Sequence, residues 1–139
     1  MAKLKLILYW IDVTFFLVCA ALLWIYGRHG PRFYIGMVMA ALAFPFWLTA
    51  RFQLGHSFSV RAKARELVTS GLYSKLRNPI YVFGWLAFLG LAIAWGNPIG
   101  FSYVVLMWVP QILRMRKEAA VLELAFGEKY RVYKAGTWF

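Results

Sequence analysis

The sequence has few of the residues on which disulfide, metal and phosphate sites usually depend. Its 139 residues include one cysteine, Cys19, which excludes a disulfide within the chain. The glycines between positions 84 and 100 are scattered through apolar sequence, so none of them forms a glycine-rich phosphate loop. Acidic residues number only five, against 16 lysines and arginines. The common catalytic motifs of soluble enzymes are therefore missing from the sequence.

Apolar residues are what the sequence has in excess. Hydrophobic residues make up 63% of the chain, whereas a soluble domain is normally less than about half apolar. A helix needs roughly 20 apolar residues to cross a bilayer, and its backbone amides must be satisfied within the segment. We therefore predict an all-α integral membrane bundle of one domain, with four transmembrane helices in two hairpins and a C-terminal amphipathic helix. The predicted spans are residues 6–26, 33–50, 80–95 and 99–113.

The first apolar run has two interpretations. Lys3 and Lys5 followed by apolar residues resemble a signal peptide. The run is long for a signal peptide, however, and no small-x-small cleavage pattern follows it. An uncleaved first helix is the favoured interpretation.

The basic residues predict the topology. Two of the 16 basic residues precede residue 6, six lie between residues 51 and 77, and six follow residue 113. The remaining two are Arg28 and Arg32. Cytoplasmic segments 51–78 and 114–139 place the three rich segments inside, as the positive-inside bias requires. We predict a multi-pass protein of a bacterial inner membrane with both termini in the cytoplasm. Topology and attraction to anionic membrane lipids explain the net charge of +11 better than nucleic acid does.

Histidine chemistry is excluded by this topology. His29 and His56, the two histidines, fall on opposite sides of the membrane. Neither a metal cluster nor a histidine-based triad is then available. His56 alone is better interpreted as an interfacial polar residue than as a base.

The C-terminal segment has an amphipathic pattern, with apolar residues at steps of three or four and an interruption at Gly127. The pattern fits an interfacial anchor of the last span. It also fits one wall of a cytoplasmic pocket, with the segment 51–75 as its ceiling. The apolar positions are Ala119, Leu122, Phe126, Tyr130 and Tyr133.

Polar residues collect at the predicted inner ends of the third and fourth spans. Asn78 and Pro79 suit the N-cap and the first position of a helix, and Arg114 and Glu118 suit an ordinary i,i+4 ion pair. The turn Gly96-Asn97-Pro98 nevertheless brings both clusters to one depth. Convergent polar groups beside an apolar groove are typical of a ligand site. The expected cluster consists of Arg77, Asn78, Tyr81, Arg114 and Glu118.

Three stretches resemble the C-terminal half of isoprenylcysteine carboxyl methyltransferases. They are ELVTSGLYSKLRNPIYVFGW, GNPIGFSY and RMRKEAAVLELAFGEKYRVYK, and they follow one another between residues 65 and 134. The wider superfamily of membrane methyltransferases also includes phospholipid N-methyltransferases. Three positions differ from the family pattern. Asn78 stands where the family commonly has histidine, Arg65-Glu66 stands where it commonly has histidine before the leucine-valine pair, and Glu118-Ala119 stands where it has paired glutamates.

The resemblance implies S-adenosylmethionine as the methyl donor and a lipophilic substrate that enters from the bilayer. It also implies a substrate-carboxylate site at Arg114, the residue with a catalytic role, and we expect Arg77 to assist in substrate binding. The cofactor site carried over from the family comprises Arg65, Glu66, Leu67, Val68, Tyr73, Asn78, Pro79, Ile80, Tyr81 and Glu118.

The residue chemistry agrees with a carboxylate acceptor. A carboxylate is already ionised at pH 7 and needs no general base, and the planar fork of Arg114 suits its two oxygens. An amine acceptor fits less well, because Arg114 would repel an ammonium group and deprotonation would need a base. We therefore predict carboxyl O-methylation of an isoprenylcysteine-type substrate. The alternatives are a phospholipid N-methyltransferase and a non-catalytic membrane protein that retains the fold.

Overall fold

A computed structural model of the chain describes residues 2–54 and 67–138. Every regular element in those two ranges is helical, which confirms the predicted all-α class. A short 3-10 turn, Gly71–Ser74, precedes the third helix. The helices are α1 (Ala2–Tyr26), α2 (Pro31–Leu54), α3 (Pro79–Trp95), α4 (Pro98–Phe126) and α5 (Glu128–Ala135).

The apolar character of the helices supports a membrane location. Among the described residues, α2 is long and apolar enough to cross a bilayer. Two further helical stretches, Trp10–Tyr26 within α1 and the whole of α3, are apolar but shorter. Large apolar side chains such as Ile25, Leu106 and Leu42 lie exposed on the outer faces of the bundle. Exposure of this kind is typical of surfaces that meet lipid.

The tightest helix interface joins α2 and α3, which belong to different predicted hairpins. A β-carbon added at Gly90 would lie 2.6 Å from the backbone nitrogen of Ala40 and 2.7 Å from the carbonyl oxygen of Gly36. Only glycine permits so close an approach of two backbones. Small residues at such positions commonly allow helices to associate in membranes, where the hydrophobic effect does not drive helices together because lipid tails are themselves apolar. The core of the bundle therefore lies between the hairpins.

Helix α1 packs against this pair through aromatic and charged side chains. Phe16 is buried among alanines of α2 and α3, and its ring stacks on Phe44 at a centroid distance of 4.3 Å. One turn earlier in α1, Asp12 accepts a 2.6 Å hydrogen bond from Arg51 near the end of α2. Helices α1, α2 and α3 thus meet around the buried ring of Phe16.

The turn between α3 and α4 has the predicted chemistry. Gly96 adopts a left-handed backbone conformation with φ of 64°, and the Asn97 side chain accepts a 2.9 Å bond from the amide of Ile99. The guanidinium group of Arg32 occupies the space that a side chain at position 96 would need. A cation at the C-terminal end of α3 is favoured by the helix dipole. This contact provides a structural reason for Arg32 at the sparsely charged end of the bundle.

The fourth helix continues into the C-terminal region without a break. Helix α4 runs on to Phe126, past residue 113, where the fourth span is predicted to end. The intervening residues are mostly good helix formers, so nothing in the local sequence ends the helix. The predicted interruption at Gly127 is confirmed: Gly127 has φ of 50° and separates α4 from α5. Similarly, α2 extends to Leu54 and includes the first residues of the predicted cytoplasmic segment.

The chain end returns to the start of α3. The amide of Trp138 donates to the carbonyl of Lys75 at 2.8 Å, and the amide of Arg77 donates to the carbonyl of Trp138 at 3.0 Å. These bonds form a parallel bridge between Leu76 and Trp138. Helix α5 is thereby held against the segment that leads into α3.

Candidate functional site

The inner ends of α3 and α4 meet at Glu118. One carboxylate oxygen of Glu118 accepts a 2.9 Å hydrogen bond from the Tyr81 hydroxyl and a 2.8 Å bond from Nε of Arg114. Arg114 and Glu118 share a face of α4 because they are four residues apart, whereas Tyr81 lies 37 residues away in sequence. The turn between the two helices thus brings together three of the five residues expected to converge. We call Tyr81, Arg114 and Glu118 the Glu118 cluster.

The Glu118 cluster is neither fully exposed nor fully buried. The side chain of Glu118 is 27% exposed and that of Arg114 is 38% exposed. Partial burial strengthens hydrogen bonds to a charged group relative to water, while enough surface remains for a ligand to reach it. The single shared oxygen fixes the direction of both donors. This geometry can hold a cation or orient the guanidinium group toward an anion.

Tyr73 lies next to the Glu118 cluster. Its side chain is buried, and its backbone carbonyl accepts a 2.7 Å hydrogen bond from the Tyr133 hydroxyl of α5. Burial raises the pKa of the Tyr73 hydroxyl well above its ordinary value, with smaller contributions from Tyr133, Glu118 and Tyr81. The hydroxyl is therefore neutral at physiological pH and remains a hydrogen-bond donor.

Arg51 is a residue near the site that sequence reasoning did not select. Its guanidinium group lies 4.5 Å from the centroid of the Trp47 ring and pairs with Asp12. The side chain is only 13% exposed, and its charge acts on Tyr73, where it opposes the rise in pKa. Asp12 could have indicated Arg51 from the sequence, because a carboxylate within an apolar helix usually has a charged partner and often marks a functional site.

Arg77 interacts chiefly with the C-terminal region. Its backbone amide bonds to Trp138, and its charge acts on Tyr130 and Tyr133. Burial raises the pKa of both tyrosines, and the positive charge of Arg77 partly opposes that rise. Among the residues that the structure describes, these interactions associate Arg77 with α5, and none of them joins it to Arg114.

The remaining predicted residues lie at the start of α3 and ahead of the 3-10 turn. Asn78 is the N-cap of α3 and Pro79 its first residue, as predicted, and Pro79 is fully buried. The Asn78 carbonyl accepts bonds from the amides of Tyr81 and Val82 at 3.1 and 3.2 Å. Ile80 follows, half-buried, in the first turn. Leu67 and Val68 are half-buried in irregular chain, whereas Arg65 and Glu66 lie outside the described residues.

A shallow groove between α3 and α4 adjoins the Glu118 cluster. Tyr81 belongs to both features, so the groove opens beside the hydroxyl that bonds Glu118. Trp108 packs edge-on against Trp85 at 4.2 Å and gives the groove a rigid apolar side. The lining residues are Tyr81, Trp108, Gln111, Ile112 and Met115.

A helical membrane-type fold with a polar cluster beside an apolar groove is consistent with an enzyme that acts on lipid-borne molecules. Comparison with protein families identifies the class: residues 31–129 match the model described as phospholipid methyltransferase. This match covers most of the chain, and the chain belongs to that family. The membership confirms the predicted superfamily of membrane methyltransferases.

Curated relatives carry the name that the sequence resemblance indicated. The human protein-S-isoprenylcysteine O-methyltransferase is 33% identical over 108 residues, which cover 71% of this chain and 37% of the human protein. The enzyme of the same name from Schizosaccharomyces pombe is 33% identical over 92 residues, covering 62% of this chain and 39% of its own. The chain thus spans less than half the length of these curated relatives. No solved structure matches the chain significantly.

Proposed function

We propose that the chain transfers a methyl group from S-adenosylmethionine to a carboxylate of a lipophilic substrate of isoprenylcysteine type. The observation that carries this proposal is the Glu118 cluster, in which Tyr81 and Arg114 donate to one carboxylate oxygen beside an apolar groove. Such a site offers a carboxylate with an aromatic side chain and a guanidinium group within hydrogen-bonding distance of it. The names of the curated relatives support the same reaction.

The residues at the site fit the proposed cofactor. A sulfonium cation is attracted to a carboxylate and to aromatic faces, and the site provides Glu118 together with Tyr81 and the neutral, buried Tyr73. When bound, S-adenosylmethionine supplies an electrophilic methyl group. Glu118 and the two tyrosines would bind its charged portion, and the half-buried setting would limit access of water. We propose that Leu67, Val68, Asn78, Pro79 and Ile80 line the rest of the cofactor site.

Arg114 is the proposed carboxylate-binding residue. Glu118 holds its Nε, which orients the guanidinium plane relative to the groove. A planar guanidinium group can bind both oxygens of a carboxylate, so it would position the acceptor close to the bound methyl donor. The acceptor is ionised at neutral pH, and the mechanism then needs no general base. We propose that the substrate enters the groove from the bilayer, and that Arg77 contributes positive charge nearby.

A phospholipid N-methyltransferase is the second candidate, and one observation favours it. Arg114 is paired with Glu118, which reduces the repulsion that a free arginine would exert on an ammonium acceptor. The description of the matching family also names phospholipids. A base for the amine is still required, and the Glu118 carboxylate would have to serve. For that reason the carboxylate acceptor remains the preferred proposal.

We also propose that α1 to α4 each cross the bilayer, with both termini in the cytoplasm, in a bacterial inner membrane and as one domain. Helix lengths of 25, 24, 17 and 29 residues correspond to about 38, 36, 26 and 44 Å, enough to span a hydrocarbon core of about 30 Å with local adjustment at α3. The basic segments then lie on the inner side. Cysteine accessibility at Gly30 and Thr137 would test the orientation, since the two should label from opposite sides.

Calorimetry with S-adenosylmethionine in detergent tests the proposal first. We expect saturable binding by the folded chain; a folded sample that does not bind would contradict both enzyme proposals and favour a non-catalytic role. Transfer of a labelled methyl group to an S-farnesylcysteine derivative or to phosphatidylethanolamine then separates the two enzymes. A base-labile product is expected, because an ester hydrolyses in base and a methylamine does not.

A further inference from the structure

The 3-10 turn that carries Tyr73 has long backbone bonds of its own. The amide of Tyr73 donates to the carbonyl of Ser70 at 3.2 Å, and the amide of Lys75 donates to the carbonyl of Leu72 at 3.3 Å. These distances lie at or beyond the long end of the usual range for such bonds, as is typical of the poorer geometry of a 3-10 helix. Four residues with bonds of this kind do not hold a fixed position by themselves. The position of Tyr73 therefore depends on contacts from other elements.

Gln53, in the last turn of α2, provides one of these contacts. Its side-chain carbonyl accepts a 2.7 Å hydrogen bond from the amide of Leu72, and both residues are half-buried. A β-carbon added at Gly71 would overlap the side-chain amide of Gln53. Gly71 also has φ of 61°, which favours glycine for a second reason. The Gln53 side chain thus lies directly against the turn, although Leu72 is 19 residues away in sequence.

The turn is held between two helices. Gln53 of α2 bonds the amide of Leu72, and the Tyr133 hydroxyl of α5 bonds the carbonyl of Tyr73, each at 2.7 Å. Both of these bonds are shorter than the two 3-10 bonds within the turn. The side chain of Tyr73 is buried, so the backbone of the turn determines where its ring lies. Gln53 and Tyr133 together therefore fix the ring of Tyr73.

We infer that Gln53 is a positioning residue of the proposed cofactor site, which fixes the turn so that Tyr73 presents its ring to S-adenosylmethionine. This inference rests on the proposed function, in which Tyr73 binds the charged portion of the cofactor. The attraction between a cation and an aromatic face depends on the distance and on the orientation of the ring. A small displacement of the turn would therefore weaken the contact. Gln53 acts through Tyr73 and need not touch the cofactor.

Two substitutions at position 53 separate the hydrogen bond from the packing. Methionine keeps the length of the side chain but lacks the carbonyl oxygen, whereas glutamate keeps an oxygen that accepts from the amide of Leu72. For the full chain in detergent, we expect Gln53→Met to weaken binding of S-adenosylmethionine about fivefold in calorimetry, the effect of one lost hydrogen bond. Gln53→Glu should bind within about twofold of the wild type, since the bond to Leu72 is retained.

A double-mutant cycle with Tyr73 distinguishes positioning from a general effect on the fold. Tyr73→Leu removes the aromatic face and should itself weaken binding of the cofactor. In that background Gln53→Met should weaken binding by less than about twofold, because the ring through which Gln53 acts is absent. A fivefold loss that persists in the Tyr73→Leu background would assign Gln53 a purely structural role and overturn the inference.

Amide hydrogen exchange of residues 70–76 in the wild type is a second measurement, and it needs no variant. Bound S-adenosylmethionine should slow exchange in this segment, because contact with Tyr73 stabilises the turn. An unchanged exchange rate, or Gln53→Met and Gln53→Glu with equal affinities, would overturn the inference while the proposed function stands. A folded wild-type chain that does not bind S-adenosylmethionine would overturn the proposed function and the inference together.

Discussion

Glu118→Gln removes one negative charge from the Glu118 cluster and little else. Glutamine has nearly the same shape, and its amide oxygen can still accept from the Tyr81 hydroxyl. The ion pair with Arg114 is lost, but the partner side chains are 27% and 38% exposed, so the free energy of unfolding should fall by less than about 1 kcal/mol. The variant should therefore fold.

The expected loss of cofactor binding is larger than the loss of stability. A hydrogen bond or contact to a charged group contributes about 1.5–3 kcal/mol. Glu118 is partly solvated and already shares its charge with Arg114, so the lower end applies. A loss of about 1.5 kcal/mol corresponds to roughly tenfold weaker binding of S-adenosylmethionine. Calorimetry on the purified variant measures this change directly.

Glu123→Gln is the matched control. Glu123 lies five residues further along α4 and pairs with Arg131 at 3.0 Å, on a more exposed surface. It removes the same charge from the same helix outside the proposed site. Binding by Glu123→Gln should equal that of the wild type. Unchanged affinity in Glu118→Gln, or equal losses in the two variants, would refute the assignment of the cofactor to the Glu118 cluster.

Three further results are expected. Tyr133→Phe deletes the 2.7 Å bond to the Tyr73 carbonyl and should cost about 1 kcal/mol in thermal unfolding, and an unchanged Tm would contradict the role of α5 as a clamp. Gly90→Leu should abolish folded protein on gel filtration because α2 backbone atoms occupy the space, whereas Gly30→Leu, in open space, should not. Burial raises the pKa of Tyr73 and Tyr133 in the folded chain, so stability should fall as pH rises above about 10; a pH-independent Tm there would refute this.

Local features of the structure could be predicted because their causes are local. Asn78 and Pro79 begin α3, and Gly96 ends it, since capping and turn preferences act over a few residues. Gly127 interrupts the C-terminal helix for the same reason. The predicted end of the fourth span at residue 113 rests on polarity and does not coincide with the end of a helix, since α4 runs on to Phe126. A change from apolar to charged residues marks a change of solvent, whereas a helix ends only where the backbone is broken.

Contacts between distant segments were harder to predict. The pairing of Gly36 with Gly90 depends on two helices meeting at one register, and small residues alone do not specify their partner. Arg51 was assigned to a cytoplasmic segment, yet its half-buried side chain lies over the Trp47 ring and bonds to Asp12. Each residue appears unremarkable by itself. Their combination arises only when α1 packs beside α2.

The sequence by itself determined the all-helical class, the helix starts and turns of α3 and α4, and the family, because composition, capping chemistry and motif spacing are properties of the chain. Only the tertiary structure decided that α2 and α3 form the tightest interface, and that Tyr81 and Arg114 donate to the same oxygen of Glu118. Helix packing sets such distances through the shapes of nonlocal surfaces. A shift of one residue in the packing of α3 against α4 would separate Tyr81 from Glu118, although the sequence motifs would be unchanged.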